Sequence, residues 1–354
     1  MKTKVLFLVS AMPKTLTGGL IYDSAIRDIL SADPRFELEY LVTDNISGTG
    51  IRRTISRHTA WIRNLRLYKK CRTFDWVIVN SVDSLFFTPL AWMLRHSGTR
   101  VIAMNHLFEF HNHSGLRRKY VKMLEKSLLR VAQPVVVSPY MLDLCRKYFP
   151  GKEIFYWQIP FGQPETTLQP APRPGHLLFV GNIAPRKGLI YLVQAMALLR
   201  QRGIDVTLTV LGKPLDRKYC AQVNDIITRN QLSVTFTGFI SGEEKDRIIA
   251  ESDIFAFPSL NEGYGMVICE TMRRGLPSVV FDNSAMPYTV NDGVNGLVVP
   301  TADVKAYADA IGRIVTDRQL RSRLSAGALA TRFVTPDEHR ARVTADLLGN
   351  PRPL

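Results

Sequence analysis

Short hydrophobic runs recur along the chain and alternate with longer segments whose hydrophobic positions repeat at helical spacing. In the first half, residues 20–30 have the helical repeat, and strand-like runs occupy 4–9, 36–42, 75–80, 101–104 and 135–137. Most of these runs are continuously hydrophobic, which is typical of strands buried on both faces. The pattern therefore predicts a parallel sheet with helices on either side.

The second half repeats this rhythm from residue 176 onward. Its hydrophobic runs predict strands at 176–181, 206–211, 233–236, 253–257, 278–281 and 297–299. The segments between them predict a helix that starts near 265 and earlier helices at 187–201, 217–230 and 242–251. The expected fold class is thus α/β, with two Rossmann-like parallel-sheet domains facing across a cleft and ligands bound at the carboxyl ends of the strands.

The two series are separated by FGQPETTLQPAPRPG, a stretch with four prolines and almost no periodicity. Such a composition is typical of a linker. We expect a first domain at 1–162, a linker at 163–175 and a second domain at 176–330, with a C-terminal segment at 331–354 that can cross back to the first domain. The length of 354 residues exceeds what one hydrophobic core usually fills, which also favours two domains.

The composition, with 46% hydrophobic and 22% charged residues, is that of a globular protein and excludes a disordered or collagen-like chain. No hydrophobic run approaches the roughly 20 residues that cross a bilayer. The N-terminal MKTKVLFLVSAM superficially resembles a signal peptide, but its short hydrophobic run without a clear cleavage site favours a buried first strand. The four cysteines form no CxxC pair, so they indicate neither a zinc site nor a disulfide framework and favour a reducing, cytoplasmic compartment.

Positive charge is concentrated in the first half of the chain. The formal net charge is +15, and residues 1–162 contain 24 Lys and Arg against 12 Asp and Glu. Within them, 51–72 carries eight basic residues and no acidic one. This segment predicts one cationic amphipathic helix, whose hydrophobic stripe consists of Ile51, Ile55, Ile62 and Leu65.

Such a helix often lies on anionic lipid, so we expect a peripheral location on the cytoplasmic face of the membrane. A helix packed on the core with a solvated basic face is the alternative. Nucleic acid is another anionic partner, but the charge is accompanied by no helix-turn-helix, zinc-finger or RRM signature. We therefore expect no nucleic-acid partner.

The first candidate for chemistry follows the predicted strand that ends at Gly181. Arg186 and Lys187 come just after Pro185 and open the next predicted helix, so two cations lie where backbone N–H groups already favour anions. The spacing is neither a P-loop nor a dinucleotide fingerprint. It predicts a phosphate site, with a surface turn of solvated charges as the alternative.

The second candidate is NEGYGMVICETM, residues 261–272, after the predicted strand DIFAF. Glu262 lies in the loop, Gly263 and Gly265 let the backbone come close to a ligand, and Glu270 falls on the second turn of the following helix. Amides at a helix N-terminus can bind an anion, while the carboxylates bind hydroxyls. This combination suits a nucleotide sugar, a diphosphate between two polyols. The alternative is a solvated Glu262 and a Glu270 that caps the helix or forms a salt bridge.

A metal site is the competing interpretation in the first half. HLFEFHNH contains, within eight residues, four side chains that can ligate zinc: His106, Glu109, His111 and His113. Such a site would require a compact turn, and there is no HExxH spacing. The chain also has no Asp-x-Asp, the kind of carboxylate pair that holds a diphosphate through a metal. We therefore expect no metal.

Four stretches, GNIAPRKGL, TGFISGEE, DIFAFPSLNEGYGMVICETMRRGLPSVV and VNDGVNGLVV, occur in an order and spacing that closely resemble the retaining GT-B glycosyltransferases of glycosyltransferase family 4. The resemblance covers about 170–315 strongly, and the glutamate pair with seven residues between its members is its most specific element. In the first half, VVVSPYMLDLC, His106 and the pair Gly18 and Gly19 match more loosely.

The resemblance implies a role for each candidate. Glu270 is similar to the glutamate that binds the nucleotide ribose, and Glu262 to the glutamate beside the donor sugar. His106 would contact the donor sugar near the reaction centre. Backbone N–H groups for the sugar and the phosphates would come from Gly263, Tyr264 and Gly265.

Lys187 is similar to the lysine that neutralises the leaving diphosphate, and Gly18 and Gly19 would form a loop near the phosphates and the acceptor. Family members usually carry an arginine where this chain has Asn182. The resemblance therefore leaves that part of the phosphate clamp to Arg186. The cations and the helix N-terminus would stabilise charge on the leaving diphosphate.

The function implied is a retaining glycosyltransferase that moves a sugar from a UDP- or GDP-linked donor to a hydroxyl of a glycan or lipid-linked acceptor, in cell-surface polysaccharide or glycolipid biosynthesis. The first domain would bind the acceptor and the second the donor, without a metal or cofactor. Same-face attack, with the leaving phosphate as base, needs no paired nucleophile. The alternatives are a nucleotide-sugar epimerase or sugar phosphorylase on the same scaffold, and a non-catalytic sugar- or lipid-binding relative.

Overall fold

The chain forms two compact units, one built from 1–160 and 334–354 and the other from 161–333. The computed structural model describes residues 2–10, 18–43, 60–80, 87–162 and 172–349. Each unit contains a six-stranded, wholly parallel sheet with helices, which confirms the predicted α/β fold class. Residues 163–171 of the predicted linker lie outside the described ranges.

The first sheet has the strand order β2-β1-β3-β4-β5-β6. Its strands are β1 Thr3–Ser10, β2 Phe36–Thr43, β3 Trp76–Asn80, β4 Arg100–Asn105, β5 Gln133–Val136 and β6 Phe155–Tyr156. The central strands β3, β4 and β5 are almost continuously buried, as expected for parallel strands covered on both faces. The order reverses between β1 and β3, which makes this the topological switch point of the sheet.

The helices of the first unit lie on both faces of its sheet. They are α1 Gly18–Ala32, α2 Ala60–Leu65, α3 Tyr68–Cys71, α4 Thr88–Arg95, α5 Gly115–Val131 and α6 Pro139–Tyr148. From β2 to β6 every crossover advances in the same direction, so right-handed connections place α2 to α6 on one face and α1 on the other. On that shared face α2 packs against α4, and α4 packs against α5.

A helix from the end of the described chain completes the first unit. This helix, numbered α14 in chain order, spans Pro336–Leu348 and begins with a capping box in which Thr335 and Glu338 bond each other's backbone N–H groups. The Trp76 indole N–H donates to the Leu347 carbonyl at 3.1 Å. The buried Trp157 donates to the Asp346 carboxylate at 2.8 Å. The described residues from 336 to 348 are therefore packed into the first unit.

The second sheet has the strand order β12-β11-β10-β7-β8-β9. Its strands are β7 His176–Val180, β8 Thr207–Leu211, β9 Ser233–Gly238, β10 Ile254–Phe257, β11 Ser278–Phe281 and β12 Gly296–Val299. Counted from β7, this is the 3-2-1-4-5-6 order of the Rossmann fold, with its switch point between β7 and β10. The strands beside that point are hydrophobic and buried, whereas the edge strand β9 is largely accessible.

Seven helices of the second unit lie between and after these strands in the described chain. They are α7 Leu189–Gln201, α8 Arg217–Arg229, α9 Glu243–Glu251, α10 Met266–Met272, α11 Met286–Thr289, α12 Val304–Thr316 and α13 Arg318–Ala330. The predicted strands and helices of this half are confirmed to within about two residues at each end, as is usual for assigned boundaries.

The single helix predicted over 51–72 is wrong where the chain is described. Residues 51–59 lie outside the described ranges, and the rest forms two short helices, α2 and α3, separated by a turn at 66–67. Asn64 is buried and its carbonyl accepts a hydrogen bond from the Leu67 N–H at 3.0 Å, which closes the turn. Cys71 then packs into the core. A helical repeat in the sequence does not reveal such an interruption.

Among the described helices, none combines the length and the hydrophobicity needed to cross a bilayer.

Candidate active site

The candidate residues of the second unit lie at the switch point of its sheet. β7 ends at Val180 and is followed by a 3-10 turn at Pro185–Lys187, while β10 ends at Phe257 and is followed by the loop that carries Glu262. Because β7 and β10 are neighbouring parallel strands, the two loops leave the same edge of the sheet side by side. Open α/β sheets bind their ligands at this position.

Main-chain contacts join these two loops. The Leu260 N–H donates to the Arg186 carbonyl at 2.8 Å. Gly188 lies so close to Pro258 that a Cβ atom at position 188 would be 1.9 Å from the Pro258 carbonyl oxygen. Its φ of 70° also falls in the left-handed region that favours glycine. A side chain at this position would therefore separate the loops.

The helix predicted from 187 begins only at Leu189. The left-handed Gly188 separates it from the preceding 3-10 turn, so Arg186 and Lys187 lie before the helix and not on its first turn. Their position is set by the contact with the β10 loop. The prediction of two cations at a helix N-terminus is thus corrected to two cations in a turn that packs against the loop of Glu262.

Glu262 is the centre of a hydrogen-bonded charge cluster. Its Oε1 atom accepts from Lys187 Nζ at 2.5 Å, from Ser259 Oγ at 2.7 Å and from the Arg186 guanidinium at 3.2 Å. Its backbone N–H donates to Ser284 Oγ at 2.9 Å, which ties the loop to the end of β11. The side chains of Lys187 and Glu262 are largely buried, whereas that of Arg186 is more exposed. The predicted group of Arg186, Lys187 and Glu262 is therefore brought together.

The cluster has an excess of one positive charge, because two cations share one carboxylate. Burial raises the pKa of Glu262, but the charges of Lys187 and Arg186 outweigh burial and leave this pKa below its ordinary value. Burial also lowers the pKa of Lys187, against the opposing effect of Glu262. The Lys187 ammonium lies 5.1 Å from the centre of the Phe257 ring, a cation–π contact that favours its charged form. The cluster can therefore attract an anion while keeping its carboxylate ionised.

Glu270 is paired with a cation that the sequence interpretation did not single out. Its Oε2 atom accepts a hydrogen bond from Lys245 Nζ, which α9 carries. Both side chains are partly buried. Glu270 lies on α10 as predicted, and the salt bridge corresponds to the alternative interpretation of this residue. Whether it also binds ribose hydroxyls stays a prediction.

The segment between the two glutamates is held by its own packing. The Tyr264 side chain is buried, with its ring stacked 5.9 Å from that of Phe161. Gly265 has a φ of 83° and precedes α10, and a Cβ atom there would press on Ile268. The roles predicted for the backbone of Gly263, Tyr264 and Gly265 stay predictions.

Asn182 ties the loop after β7 to the loop after β8. Its Oδ1 atom accepts a hydrogen bond from the Lys213 N–H at 3.3 Å. The Lys213 ammonium lies 5.3 Å from the centre of the exposed Phe239 ring. Asn182 thus has a structural role here, and a contact between this residue and a phosphate stays a prediction.

The candidate residues of the first unit form a separate arrangement around Asp23. The His106 ring, just after β4, lies with Nε2 3.0 Å from Asp23 Oδ1, while Asn80 at the end of β3 donates to Asp23 Oδ2. His106 Nδ1 is buried without a hydrogen-bond partner among the described residues. Asp23 belongs to α1 and is buried. Side chains at the ends of two neighbouring strands, β3 and β4, therefore converge on one carboxylate of α1.

Gly18 and Gly19 are in the first turn of α1 and not in a loop, while their predicted place near the phosphates and the acceptor stays a prediction. The space above Gly19 is filled by His106, since a Cβ atom there would lie 3.2 Å from His106 Cδ2. The missing side chain at position 19 is therefore needed for the histidine ring to approach the helix. The preceding residues 11–17 lie outside the described ranges.

The segment after His106 is clamped by a buried carboxylate. Glu125 on α5 accepts hydrogen bonds from the Glu109 N–H at 2.7 Å and from the Phe110 N–H at 3.2 Å. Burial raises the pKa of Glu125 to about 7. This clamp fixes the 3-10 turn at Glu109–Asn112, which follows β4 and His106.

The four potential zinc ligands are not grouped around one point. His106 binds Asp23, His113 lies 3.3 Å from Glu109, and the His111 ring packs 4.3 Å from that of Phe110. Within the described ranges, no three His, Cys, Asp or Glu side chains are arranged to hold a metal ion. The zinc interpretation therefore has no support in this segment.

Several residues of these arrangements were missed from the sequence, among them Asp23, Glu125, Lys245 and Ser259. Ser259 is part of the quoted β10 loop, and a hydroxyl three residues before a candidate carboxylate was a usable signal. Asp23 and Glu125 are acidic residues within amphipathic helices, where an acidic residue is ordinarily taken as solvent-facing. Their burial becomes evident only from the packed structure.

Residues 174–317, which contain the whole Glu262 cluster, match the family model described as Glycosyl transferases group 1. Alpha-D-kanosaminyltransferase of Streptomyces kanamyceticus is 34% identical over 154 residues, 43% of this chain and 39% of that protein. Phosphatidyl-myo-inositol mannosyltransferase of Mycobacterium leprae is 29% identical over 185 residues, 49% of this chain and 48% of that protein. The match thus spans less than half the length of each of these relatives.

Solved structures match nearly the whole chain. Anabaena HepE, solved with UDP and glucose, has a TM-score of 0.74 at 17% identity, covering 98% of this chain and 100% of that one. Sucrose-phosphate synthase from Thermosynechococcus elongatus has a TM-score of 0.72 at 18% identity, covering 97% and 94%. The fold is therefore the α/β GT-B fold, and residues 174–317 form a domain of the glycosyl transferases group 1 type.

Proposed function

We propose that the protein is a retaining glycosyltransferase that moves a sugar from a nucleotide-sugar donor to a hydroxyl of a glycan or lipid-linked acceptor. The observation that carries the proposal is the cluster of Arg186, Lys187 and Glu262 at the switch point of the second sheet. The group 1 match over the same residues supports it. The names of the matched relatives, a kanosaminyltransferase and a mannosyltransferase, are consistent with transfer of a hexose.

In the proposed reaction the bond between the anomeric carbon and the diphosphate oxygen breaks, and the bonding electrons leave with the nucleoside diphosphate. Lys187 and Arg186 stabilise the charge that grows on the departing oxygens. Since Glu262 already neutralises one of these cations, the cluster offers one net positive charge. Fixed charge of this kind lowers a barrier by about 3 to 4 kcal/mol.

The acceptor hydroxyl attacks the same face of the sugar from which the diphosphate departs. A new bond forms between the acceptor oxygen and the anomeric carbon, and the hydroxyl proton passes to an oxygen of the leaving phosphate. We assign donor binding to the second unit, with Glu270 for the ribose, and acceptor binding to the first unit. His106, held by Asp23, is the proposed sugar contact of the first unit.

The identity of the nucleotide-sugar donor is tested first. HepE has been solved with UDP and glucose, so UDP-glucose leads a panel that also contains GDP- and ADP-linked sugars. Binding of the right nucleotide raises the thermal midpoint of unfolding, because a ligand that binds the folded state stabilises it. Turnover is then followed as release of the nucleoside diphosphate in the presence of an acceptor, with and without inorganic phosphate. A rate that needs phosphate would indicate a phosphorylase instead.

The site assignment is tested with Lys187→Ala, for which we expect kcat to fall about 100- to 1,000-fold. Lys305→Ala is the matched control, since it removes the same charge from an exposed position on α12 and should leave the rate unchanged. Removing one partner of a buried ion pair can cost about 3 to 5 kcal/mol of stability, so the thermal midpoint of each variant is measured first. A folded Lys187→Ala protein with full turnover would refute the assignment.

A further inference from the structure

Large hydrophobic side chains are exposed on one face of the first unit. Among its described residues, all five that are exposed lie on α2, α4 and α5: Ile62, Trp92, Leu116, Tyr120 and Met123. These three helices belong to the same face of the sheet and pack side by side in the order α2, α4, α5. In the second unit, by contrast, exposed hydrophobic residues are spread over strands, loops and helices in several places.

The outer side of α5 carries three of these five exposed hydrophobic residues. Leu116, Tyr120 and Met123 recur at intervals of four and three residues, so they lie on one side of the helix. The exposed fractions are 84% for Leu116 and 55% for Met123. The opposite side of α5 is buried against the sheet through Val121, Leu128 and Leu129. The hydrophobic stripe is therefore additional to the one that packs the helix into the core.

The charges around this stripe are almost all positive. α5 contains six basic residues, Arg117, Arg118, Lys119, Lys122, Lys126 and Arg130. Its one acidic residue, Glu125, is buried on the inner side, where it holds the segment after β4. The sequences of α2 and α4 contain no acidic residue. The outer surface of the three helices is thus cationic with hydrophobic residues within it.

Trp92 extends this surface onto the neighbouring helix. Its side chain is 57% exposed on α4, one helix away from α5. Trp and Tyr are enriched where proteins meet the headgroup region of a bilayer, because their rings are hydrophobic and also carry a polar group. Trp92 and Tyr120 are exposed near the basic residues of α5, and this combination suits the headgroup region of an anionic bilayer.

We propose that the outer face of α5, with Trp92 of α4, docks onto a bilayer that contains anionic phospholipid. Basic residues are attracted to the negatively charged surface, while Leu116, Met123 and the aromatic rings enter the headgroup and upper acyl region. A docking surface composed of α5 and α4 differs from the 51–72 segment expected from sequence, whose described part turns Cys71 into the core. The proposal does not depend on glycosyl transfer.

The test compares binding of the full chain to vesicles of phosphatidylcholine with and without phosphatidylglycerol, followed by flotation. We expect binding that requires the anionic lipid and weakens with added salt, since salt screens exposed charges. The combined variant Leu116→Ser, Tyr120→Ser and Met123→Ser should reduce the vesicle partition coefficient about tenfold or more. The thermal midpoint of this variant is measured beside that of the unchanged chain, so that lost folding is distinguished from lost vesicle binding.

The matched control is Val294→Ser with Leu329→Ser, which removes exposed hydrophobic side chains from the second unit and should leave vesicle binding unchanged. The proposal is overturned if the unchanged chain ignores anionic vesicles, or if the combined α5 variant binds them as tightly as the unchanged chain. It is also overturned if light scattering shows a dimer that the α5 variant dissociates, since the surface would then be an interface between two copies. If the unchanged chain binds anionic vesicles but transfers no sugar from any donor tested, the proposed function is refuted and membrane docking stands.

Discussion

In the second unit the loops after β7 and β10 meet through their main chains, whereas in the first unit the groups after β3 and β4 meet through side chains. The Leu260 N–H binds the Arg186 carbonyl, and Gly188 touches Pro258. In the first unit, Asn80 and His106 instead both bind the Asp23 carboxylate. Both arrangements lie at the switch point of a parallel sheet.

The same position in a fold is therefore fixed in two ways. Main-chain contact keeps the loops together whatever the ionisation state of Lys187 and Glu262, but it requires glycine at position 188. Side-chain contact permits ordinary backbone conformations, but it requires carboxylates, Asp23 and Glu125, to stay in a buried environment. We therefore expect the second unit to be sensitive to added volume and the first to protonation and loss of polar groups.

The largest effect is expected for Gly188→Ala. The added Cβ atom would lie 1.9 Å from the Pro258 carbonyl oxygen, and an alanine at φ 70° is strained as well. Overpacking together with a left-handed alanine should cost more than about 3 kcal/mol of unfolding free energy, measured by denaturant titration.

Gly203→Ala is the control for that substitution. Gly203 has a similar φ of 73°, but nothing lies within 4 Å of the added Cβ atom. The strain of a left-handed alanine alone should cost about 1 kcal/mol. Equal losses in the two variants would mean that contact between the loops is not the reason for glycine at 188.

The next largest effect is a change of the unfolding free energy with pH, caused by titration of Glu125. The pKa of this carboxyl is raised by burial from 4.5 to about 7 in the folded protein. Between these values the folded state binds a proton that the unfolded state does not. The stabilisation from this proton is complete below pH 4.5 and is lost as the pH rises through about 7. It amounts to at most about 3 kcal/mol.

Glu125→Gln removes the titrating group and keeps its size. The amide can accept from one of the Glu109 and Phe110 N–H groups but places its NH2 against the other. The unfolding free energy of the unchanged chain, relative to the variant, should therefore rise as the pH falls from above 7 towards 5. Parallel pH profiles for the two proteins would show that Glu125 does not titrate in this interval.

A smaller effect is expected for Asp23→Ala, which removes the acceptor of His106. The ring would keep its packing over Gly19 but lose its orienting hydrogen bond, so kcat should fall about tenfold, or ~1.4 kcal/mol. Asp28→Ala on the same helix is the control, because Asp28 is largely exposed and pairs with Arg27. An unchanged kcat in a folded Asp23→Ala protein would contradict a role for this pair in the reaction.

The sequence predicted most strands because parallel strands covered on both faces are continuously hydrophobic, as in β3 and β10. Arg186, Lys187 and Glu262 were predicted as a site because each follows a strand of the same sheet. Asp23 and His106 were not connected, since 83 residues separate them and neither has a local signal for the other. The turn at 66–67 is closed by a main-chain hydrogen bond from the Leu67 N–H to the Asn64 carbonyl, which helical periodicity does not encode.

The return of α14 to the first unit has a consequence for biosynthesis. A ribosome makes the chain from the N-terminus, and domains generally fold as units during synthesis. The indole N–H groups of Trp76 and Trp157 donate hydrogen bonds to the Leu347 carbonyl and the Asp346 carboxylate. Both acceptors are synthesised after the entire second unit. The second unit can therefore be complete before Trp76 and Trp157 of the first unit have their hydrogen-bond acceptors.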